Sequence, residues 1–121
     1  MNEITVETIY YENKKRLKFE VYNNDNGFDR IIKEPELNRP ALALTGFVDV
    51  FTHQRIQLIG NTELAYMDTL SPEARKSSLR KVFKFDMPCI VVTDNNVPPP
   101  ELVEIADEKK ITIFRTVFST T

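Results

Sequence analysis

The sequence is poor in the residues that build metal and disulfide sites. Its 121 residues include one cysteine, one histidine, three glycines and no tryptophan. A structural zinc site needs about four convergent cysteine, histidine or carboxylate ligands. Cys89 and His53 lie in different predicted elements and do not supply such a set, so we expect no metal site. A single cysteine also excludes an internal disulfide and fits a reducing compartment.

The chain also lacks a phosphate-binding loop. Such a loop ends in Gly-Lys-Ser or Gly-Lys-Thr, and none of the glycines Gly27, Gly46 and Gly60 is followed by lysine. We therefore assign no catalytic residue and no cofactor to this chain. Cysteine–histidine catalysis is the formal alternative, but Cys89 opens an apolar strand, which favours a buried structural thiol.

Long apolar runs and a strong net charge are missing too. No run approaches the ~20 residues that span a bilayer, the first ten residues do not form a signal peptide, and the net charge is −2. We expect a cytoplasmic protein without a membrane or nucleic-acid partner. The basic run Arg75–Lys84 keeps nucleic-acid binding open as an alternative to a solvated helix face or a docking surface for another domain.

Hydrophobic periodicity predicts a single α/β domain over residues 1–121. Helix starts are indicated at Asn61, Ser71-Pro72 and Pro100. A short helix is expected near the N-terminus. The predicted strands are Leu17–Val21, Phe28–Ile32, Ile56–Gly60, Cys89–Val92 and Ile111–Phe114. Because strand–helix–strand crossovers are nearly always right-handed and lay strands parallel, the expected fold is a three-layer domain with a mixed, partly parallel sheet.

Five residues are candidates for ligand binding. Thr93, Asp94 and Asn95 follow the Cys89–Val92 strand, and open α/β sheets bind ligands in crevices outside the carboxyl ends of their strands. Arg39 and Arg55 have the geometry to clamp a phosphate or carboxylate bidentately. The alternatives are a plain turn at residues 93–96 and structural pairing of the two arginines with Glu34, Glu36 or Asp49.

Several strings carry a family resemblance, in order and spacing, from about Leu17 onward. They are Asn38-Arg39-Pro40 with Leu42, Leu44, Gly46, Phe47 and Asp49; Arg55-Ile56-Gln57-Leu58-Ile59-Gly60; Thr62-Glu63-Leu64; Pro88-Cys89-Ile90-Val91-Val92-Thr93; Pro100-Glu101-Leu102; and Ile113-Phe114-Arg115-Thr116 with Ser119-Thr120-Thr121. Together they resemble the N-terminal domain of bacterial HPr kinase/phosphorylase.

The resemblance implies a parent enzyme that uses ATP or pyrophosphate to phosphorylate a serine of HPr, the phosphocarrier of the sugar phosphotransferase system. It also implies the reverse phosphorolysis, and hence a role in carbon catabolite repression. In the family, ATP and magnesium belong to a C-terminal P-loop kinase domain that follows the Ser119-Thr120-Thr121 string and is not in this sequence. The implied assembly is a hexamer, and the implied fold is similar to the N-terminal domain of the Mur ligases.

Two functions follow as expectations. The first is a non-catalytic regulatory or assembly domain of an HPr kinase/phosphorylase, with the kinase domain as its partner. The second is a free-standing module that senses a nucleotide or sugar phosphate near Arg39, Arg55 and residues 93–96.

Overall fold

The computed structural model describes residues 4–34, 36–46, 48 and 52–119. Phe47 and Asp49, which carry part of the family resemblance, lie outside these ranges, as do Pro35 and residues 120–121. The elements are, in chain order, α1 (Val6–Asn13), β1 (Glu20–Val21), β2 (Leu37–Asn38), α2 (Ala41–Leu44), β3 (Ile56–Ile59), α3 (Asn61–Asp68), α4 (Pro72–Val82), β4 (Cys89–Val92), α5 (Pro100–Lys109) and β5 (Thr112–Arg115).

The strands form one sheet in the order β1-β5-β4-β3-β2. Strands β2 to β5 are mutually parallel, and β1 pairs with β5 in the antiparallel sense. The sheet is therefore mixed and partly parallel, which confirms the expected fold class. Strand β4 lies at its centre, and all four of its residues are buried, as a continuous apolar run predicts for a strand covered on both faces.

Each face of the sheet carries its own helical layer. Because side chains alternate along a strand, Ile90 and Val92 of β4 face the core shared with α2, α3, α4 and α5. Cys89 and Val91 face the opposite core, which α1 closes through Val6. The result is the predicted three-layer arrangement. None of the helices in the described ranges is long and apolar enough to cross a bilayer.

Aromatic rings hold the α1 layer to the sheet. The Phe114 ring of β5 stacks with Tyr10 of α1 at a centroid distance of 5.4 Å and with Phe19 at 5.6 Å. Phe28 adds a tilted contact with Phe114 at 6.1 Å. Such pairs contribute about 0.5–1.5 kcal/mol each beyond their buried area, so they stabilise a layer in which α1 is the one helix among the described residues.

The predicted strand Phe28–Ile32 is wrong. Residues 26–29 form a turn, in which Phe28 N donates to Asp25 O at 3.1 Å, and Ile31 makes only a single bridge with Thr5. The N–H of Phe28 is thus used within the turn, while Phe28 O and Arg30 O accept from Glu7 N at 3.0 Å and Val6 N at 2.9 Å in the first turn of α1. Gly27 fits this turn through close approach, since a Cβ there would lie 2.8 Å from Lys110 O.

Two of the three predicted helix starts are confirmed and one shifts by a residue. Ser71 Oγ accepts from Ala74 N at 3.1 Å, with Pro72 as the first residue of α4, and α5 begins at Pro100. At α3 the capping position is Gly60 and not Asn61, which is the first helical residue. Glycine is tolerated at a capping position, and the Glu63 carboxylate accepts from the Gly60 N–H at 2.8 Å, which is the backward bond of a capping box.

Candidate functional site

The carboxyl edge of the parallel strands brings four of the five predicted ligand residues together. Arg39 follows β2, and Thr93, Asp94 and Asn95 follow β4. Thr93 N donates to Ile59 O at 3.0 Å, which places the turn after β4 beside the end of β3. Arg55 precedes β3 and so lies toward the opposite edge of the sheet.

Arg39 contacts the first turn of α3. Its Nη2 donates to Glu63 Oε1 at 3.1 Å, and the same oxygen accepts from Gly60 N at 2.8 Å. Glu63 is 1% exposed, whereas the Arg39 side chain is 42% exposed. A helix N-terminus attracts anions through its free N–H groups and dipole, and here the Glu63 carboxylate of the chain itself occupies that position.

Arg55 pairs with two acids from the segment before β2. Its Nη2 lies 3.0 Å from Glu36 Oε2, and its Nε lies 3.8 Å from Glu34 Oε2. This is the structural pairing that the sequence offered as an alternative. For Arg39 the sequence did not suggest the observed partner Glu63, and Asp49, the third proposed acid, lies outside the described residues.

The turn after β4 is attached to the end of β5. Asp94 and Asn95 have left-handed φ values of 59° and 57°, a conformation that short polar side chains tolerate. Asp94 N donates to Phe118 O at 2.7 Å and Asn95 N to Thr116 O at 3.0 Å. Two N–H groups that could bind an anion at this edge are therefore already used.

Arg115 completes this attachment, and sequence reasoning did not single it out. Its Nε donates to Asn96 O at 2.6 Å, and its Nη2 donates to Asn95 O at 2.7 Å and to Asn95 Oδ1 at 3.0 Å. The only available signal was an arginine at the end of a predicted buried strand, where a long side chain can reach the neighbouring turn.

The basic run Arg75–Lys84 forms an ion-pair ladder with α5. Three bases of α4 pair with three acids spaced one helical turn apart on α5: Arg75 with Glu101 (3.0 Å), Lys76 with Glu104 (3.0 Å) and Arg80 with Glu108 (3.1 Å). The hydrogen bond from Arg75 lowers the pKa of Glu101, and that from Arg80 lowers the pKa of Glu108. Part of the positive charge is thus matched within the domain.

Cys89 is 1% exposed, and desolvation raises the pKa of its thiol to about 12. A protonated buried thiol is a poor nucleophile, which agrees with a structural role.

His53 Nδ1 lies 3.0 Å from the backbone oxygen of Asp86. Across the described ranges, His, Cys, Asp and Glu side chains form no group of three or more that could hold a metal ion.

A cavity of about 380 Å³ on the α1 face, hereafter the apolar groove, is lined mainly by apolar side chains. It runs between α1 and the sheet. Among its lining residues are Ile9, Leu17, Leu37, Leu58, Val91 and Phe118. The candidate sites at the carboxyl edge are polar and self-paired, whereas this groove has the size and apolar lining typical of binding sites.

Comparison with known proteins gives one family. Residues 4–121 match the model described as HPr Serine kinase N terminus. The chain is 41% identical over 120 residues to the HPr kinase/phosphorylase of Chloroherpeton thalassium, covering 98% of this chain and 35% of that protein. It is 40% identical over 117 residues to that of Leptospira biflexa, covering 97% and 36%. The chain thus spans about a third of the length of these relatives.

A solved structure shares the fold. It is the regulatory region of Clostridium perfringens pyrophosphatase, with CBS and DRTGG domains, complexed with the activator diadenosine tetraphosphate. The TM-score is 0.58 with 14% sequence identity, and the match covers 88% of this chain and 40% of that one. At this identity the likeness concerns the fold alone.

Proposed function

The chain belongs to the HPr kinase/phosphorylase family, as an N-terminal domain, and from this premise we propose that it is the non-catalytic regulatory or assembly domain of such an enzyme. The observation that carries the proposal is the coverage: 98% of this chain matches only 35% of a relative, and the matching family model describes the N terminus.

The parent enzyme, in this proposal, phosphorylates and dephosphorylates a serine of HPr in the cytoplasm as part of carbon catabolite regulation. Its ATP and magnesium are held by a C-terminal P-loop kinase domain, which is the partner of this chain, and the parent assembles as a hexamer.

The local chemistry of the sheet edge supports a non-catalytic role. Parallel α/β domains bind phosphates at helix N-termini and at the carboxyl ends of strands. In this chain, Glu63 occupies the N-terminus of α3, and the N–H groups of Asp94 and Asn95 donate to the segment after β5. The Gly60 N–H before α3 and the two N–H groups after β4 are therefore already hydrogen-bonded within the chain.

The catalytic part of the proposal is tested by incubating the purified 121-residue chain with ATP, magnesium and HPr. The expected result is no phosphoserine on HPr by intact-mass spectrometry. The full-length product of the same reading frame, assayed in parallel, should phosphorylate HPr and shows that the substrate is competent. ATP-dependent phosphorylation of HPr by the 121-residue chain would overturn the proposal.

The regulatory or assembly part is tested by deleting residues 1–121 from the full-length enzyme. We expect a change in oligomeric mass by light scattering, in the kinase rate, or in the balance between kinase and phosphorylase rates. A shortened enzyme that keeps the mass and both rates of the full-length enzyme would contradict this role.

A second candidate is a sensor of a nucleotide or sugar phosphate at Arg39 and residues 93–95, the predicted ligand residues that share the carboxyl edge of the sheet, without Arg55, which lies toward the opposite edge. It is favoured by the Arg39 guanidinium, which is 42% exposed on the same edge as Thr93. Thermal melts with millimolar uridine nucleotide, ATP or sugar phosphate test it, since a ligand that binds only the native state stabilises it by RT ln(1 + L/Kd) at a free ligand concentration L. If the site exists, the ligand should raise the Tm of the native chain, and this rise should be absent from the Arg39→Gln variant. Equal shifts in both proteins, or none, would exclude the candidate.

A further inference from the structure

The apolar groove has a floor made by the sheet and a wall made by the α1 layer. Leu58 of β3 and Val91 of β4 lie on the floor, and Ile9 of α1 and Leu17 form part of the wall. These residues are carbon-rich and unable to hydrogen-bond through their side chains. A complementary occupant therefore presents aliphatic or aromatic side chains.

Two large apolar side chains stand exposed at the rim of the groove. Leu37, on the edge strand β2, is 52% exposed, and Phe118, just after β5, is 44% exposed. Scattered exposed apolar residues are ordinary, but a contiguous apolar patch next to a cavity marks an interaction site. Leu37 and Phe118 line the same groove, so they extend its apolar surface outward.

Positive charge borders the same rim. The segment from Asn13 to Phe19 carries four exposed basic residues, Lys14, Lys15, Arg16 and Lys18. Two of them are held at the groove: Arg16 donates to the side chain of Asn13, a lining residue, and Lys18 Nζ lies 5.9 Å from the centroid of the Phe118 ring. An occupant with acidic groups beside its apolar side chains fits this distribution.

We propose that the apolar groove seats the polypeptide that follows this domain in the full-length enzyme, through apolar side chains flanked by acidic residues. The proposal rests on the proposed function, in which the chain is the N-terminal part of a longer protein. Its structural basis is Ser119, the last described residue, which itself lines the groove. The main chain therefore leaves the described domain at the rim.

Reach and concentration favour this occupant over a second copy of the chain. Six extended residues span ~20 Å, more than the ~13 Å of a four-residue strand, so a short segment suffices to turn back over the floor. A tethered segment is present at an effective concentration in the millimolar range, so even weak contacts keep it docked, whereas a second copy must reach comparable concentrations in solution.

Thiol labelling of one introduced cysteine at a time tests the proposal. Leu37→Cys places a probe at the rim, and Leu42→Cys, on α2 at the other face of the sheet, is the matched control because Leu42 is 55% exposed. In the full-length enzyme, Leu37→Cys should label about tenfold more slowly than in the 121-residue chain, as expected when the undocked state is populated at about 10% or less. Leu42→Cys should label at the same rate in both proteins. The native Cys89 is buried and contributes only a slow background.

Equal rates for Leu37→Cys in the two proteins would overturn the proposal, as would slower labelling of both positions. Protection of Leu37→Cys that appears in the 121-residue chain with rising protein concentration would assign the groove to a second copy and also overturn it. If the full-length enzyme phosphorylates HPr while Leu37→Cys labels equally in both lengths, only the groove assignment fails. A reading frame that ends at Thr121 would remove both the parent enzyme and the occupant.

The electrostatic part has its own control. Arg16→Glu with Lys18→Glu should restore fast labelling of Leu37→Cys in the full-length enzyme, because acidic flanks would then be repelled. Lys81→Glu with Lys84→Glu makes the same charge change in exposed residues of the α4 region and should leave the protection intact. If the first pair leaves the protection unchanged, the acidic character of the occupant is wrong.

Discussion

The guanidinium of Arg75 donates from Nη1 to the carboxylate of Glu101 at 3.0 Å, which links α4 to α5. Its other nitrogens donate to the backbone oxygens of Met67 at 3.0 Å and Leu70 at 3.2 Å. The Arg75 side chain is only 17% exposed. One side chain therefore satisfies the carbonyl groups at the end of α3 and joins three consecutive helices.

Arg75→Ala should lower the free energy of unfolding by about 2–3 kcal/mol, because it removes the guanidinium donor from the Leu70 carbonyl and the Glu101 carboxylate, whereas the Met67 oxygen keeps its bond from Leu70 N. Urea denaturation gives the value. Arg80→Ala is the control, since Arg80 makes only the exposed pair with Glu108, and exposed pairs contribute little. A midpoint shift of equal size in the two variants would show that Arg75 is no more than a surface charge.

Acid should weaken the same ladder. Arg75 lowers the pKa of Glu101 below its ordinary value of 4.5, chiefly through the hydrogen bond. A carboxyl group whose pKa is lower in the folded state stabilises the protein above its unfolded pKa and loses that contribution as the pH falls through the folded pKa. Stability should therefore decline below about pH 4.5, and Glu101→Gln should show a shallower decline. Denaturation midpoints between pH 7 and pH 3 provide the measurement, and parallel curves would contradict the assignment.

The two described turn glycines should respond to alanine for different reasons. At Gly27 an added Cβ would lie 2.8 Å from Lys110 O and 2.9 Å from Thr112 N, both backbone atoms, so Gly27→Ala should destabilise by about 1–3 kcal/mol through overpacking. At Gly46 the space is open, but φ is +104°, so Gly46→Ala carries only the conformational cost of a left-handed L-residue, about 1–2 kcal/mol. Hydrogen exchange at Thr112 N should rise in the first variant alone, and a rise in both would show that packing is not the distinction.

Alkaline pH should act through Cys89. Burial raises the pKa of its thiol from 9.0 to about 12. Between these values the unfolded chain releases a proton that the native protein retains, so this group destabilises the fold as pH rises through that window. Unfolding free energies of the native protein and Cys89→Ala, measured from pH 8 to pH 11, should differ in slope. Identical slopes would mean that the thiol ionises equally in both states.

Local signals account for the elements that the sequence identified correctly. Ser71-Pro72 starts α4, and the continuous apolar run Cys89–Val92 marks the central strand. Contacts between distant segments were not accessible in this way. The Arg39–Glu63 pair spans 24 positions and the Arg115–Asn95 hydrogen bond spans 20, and both depend on which strands lie side by side. The sequence therefore indicated the candidate residues at the edge but not their partners.

The pairing of β1 with β5 has a consequence for synthesis of the protein. Glu20 and Arg115 are register partners although 95 positions separate them. At about 5–20 residues per second, the ribosome makes Phe19 roughly 5–20 seconds before its stacking partner Phe114 is available. The α1 layer is thus translated first but completed only once β5 is available. A nascent chain halted short of Phe114 leaves Tyr10 and Phe19 without their stacking partner, an aromatic surface that chaperones can recognise.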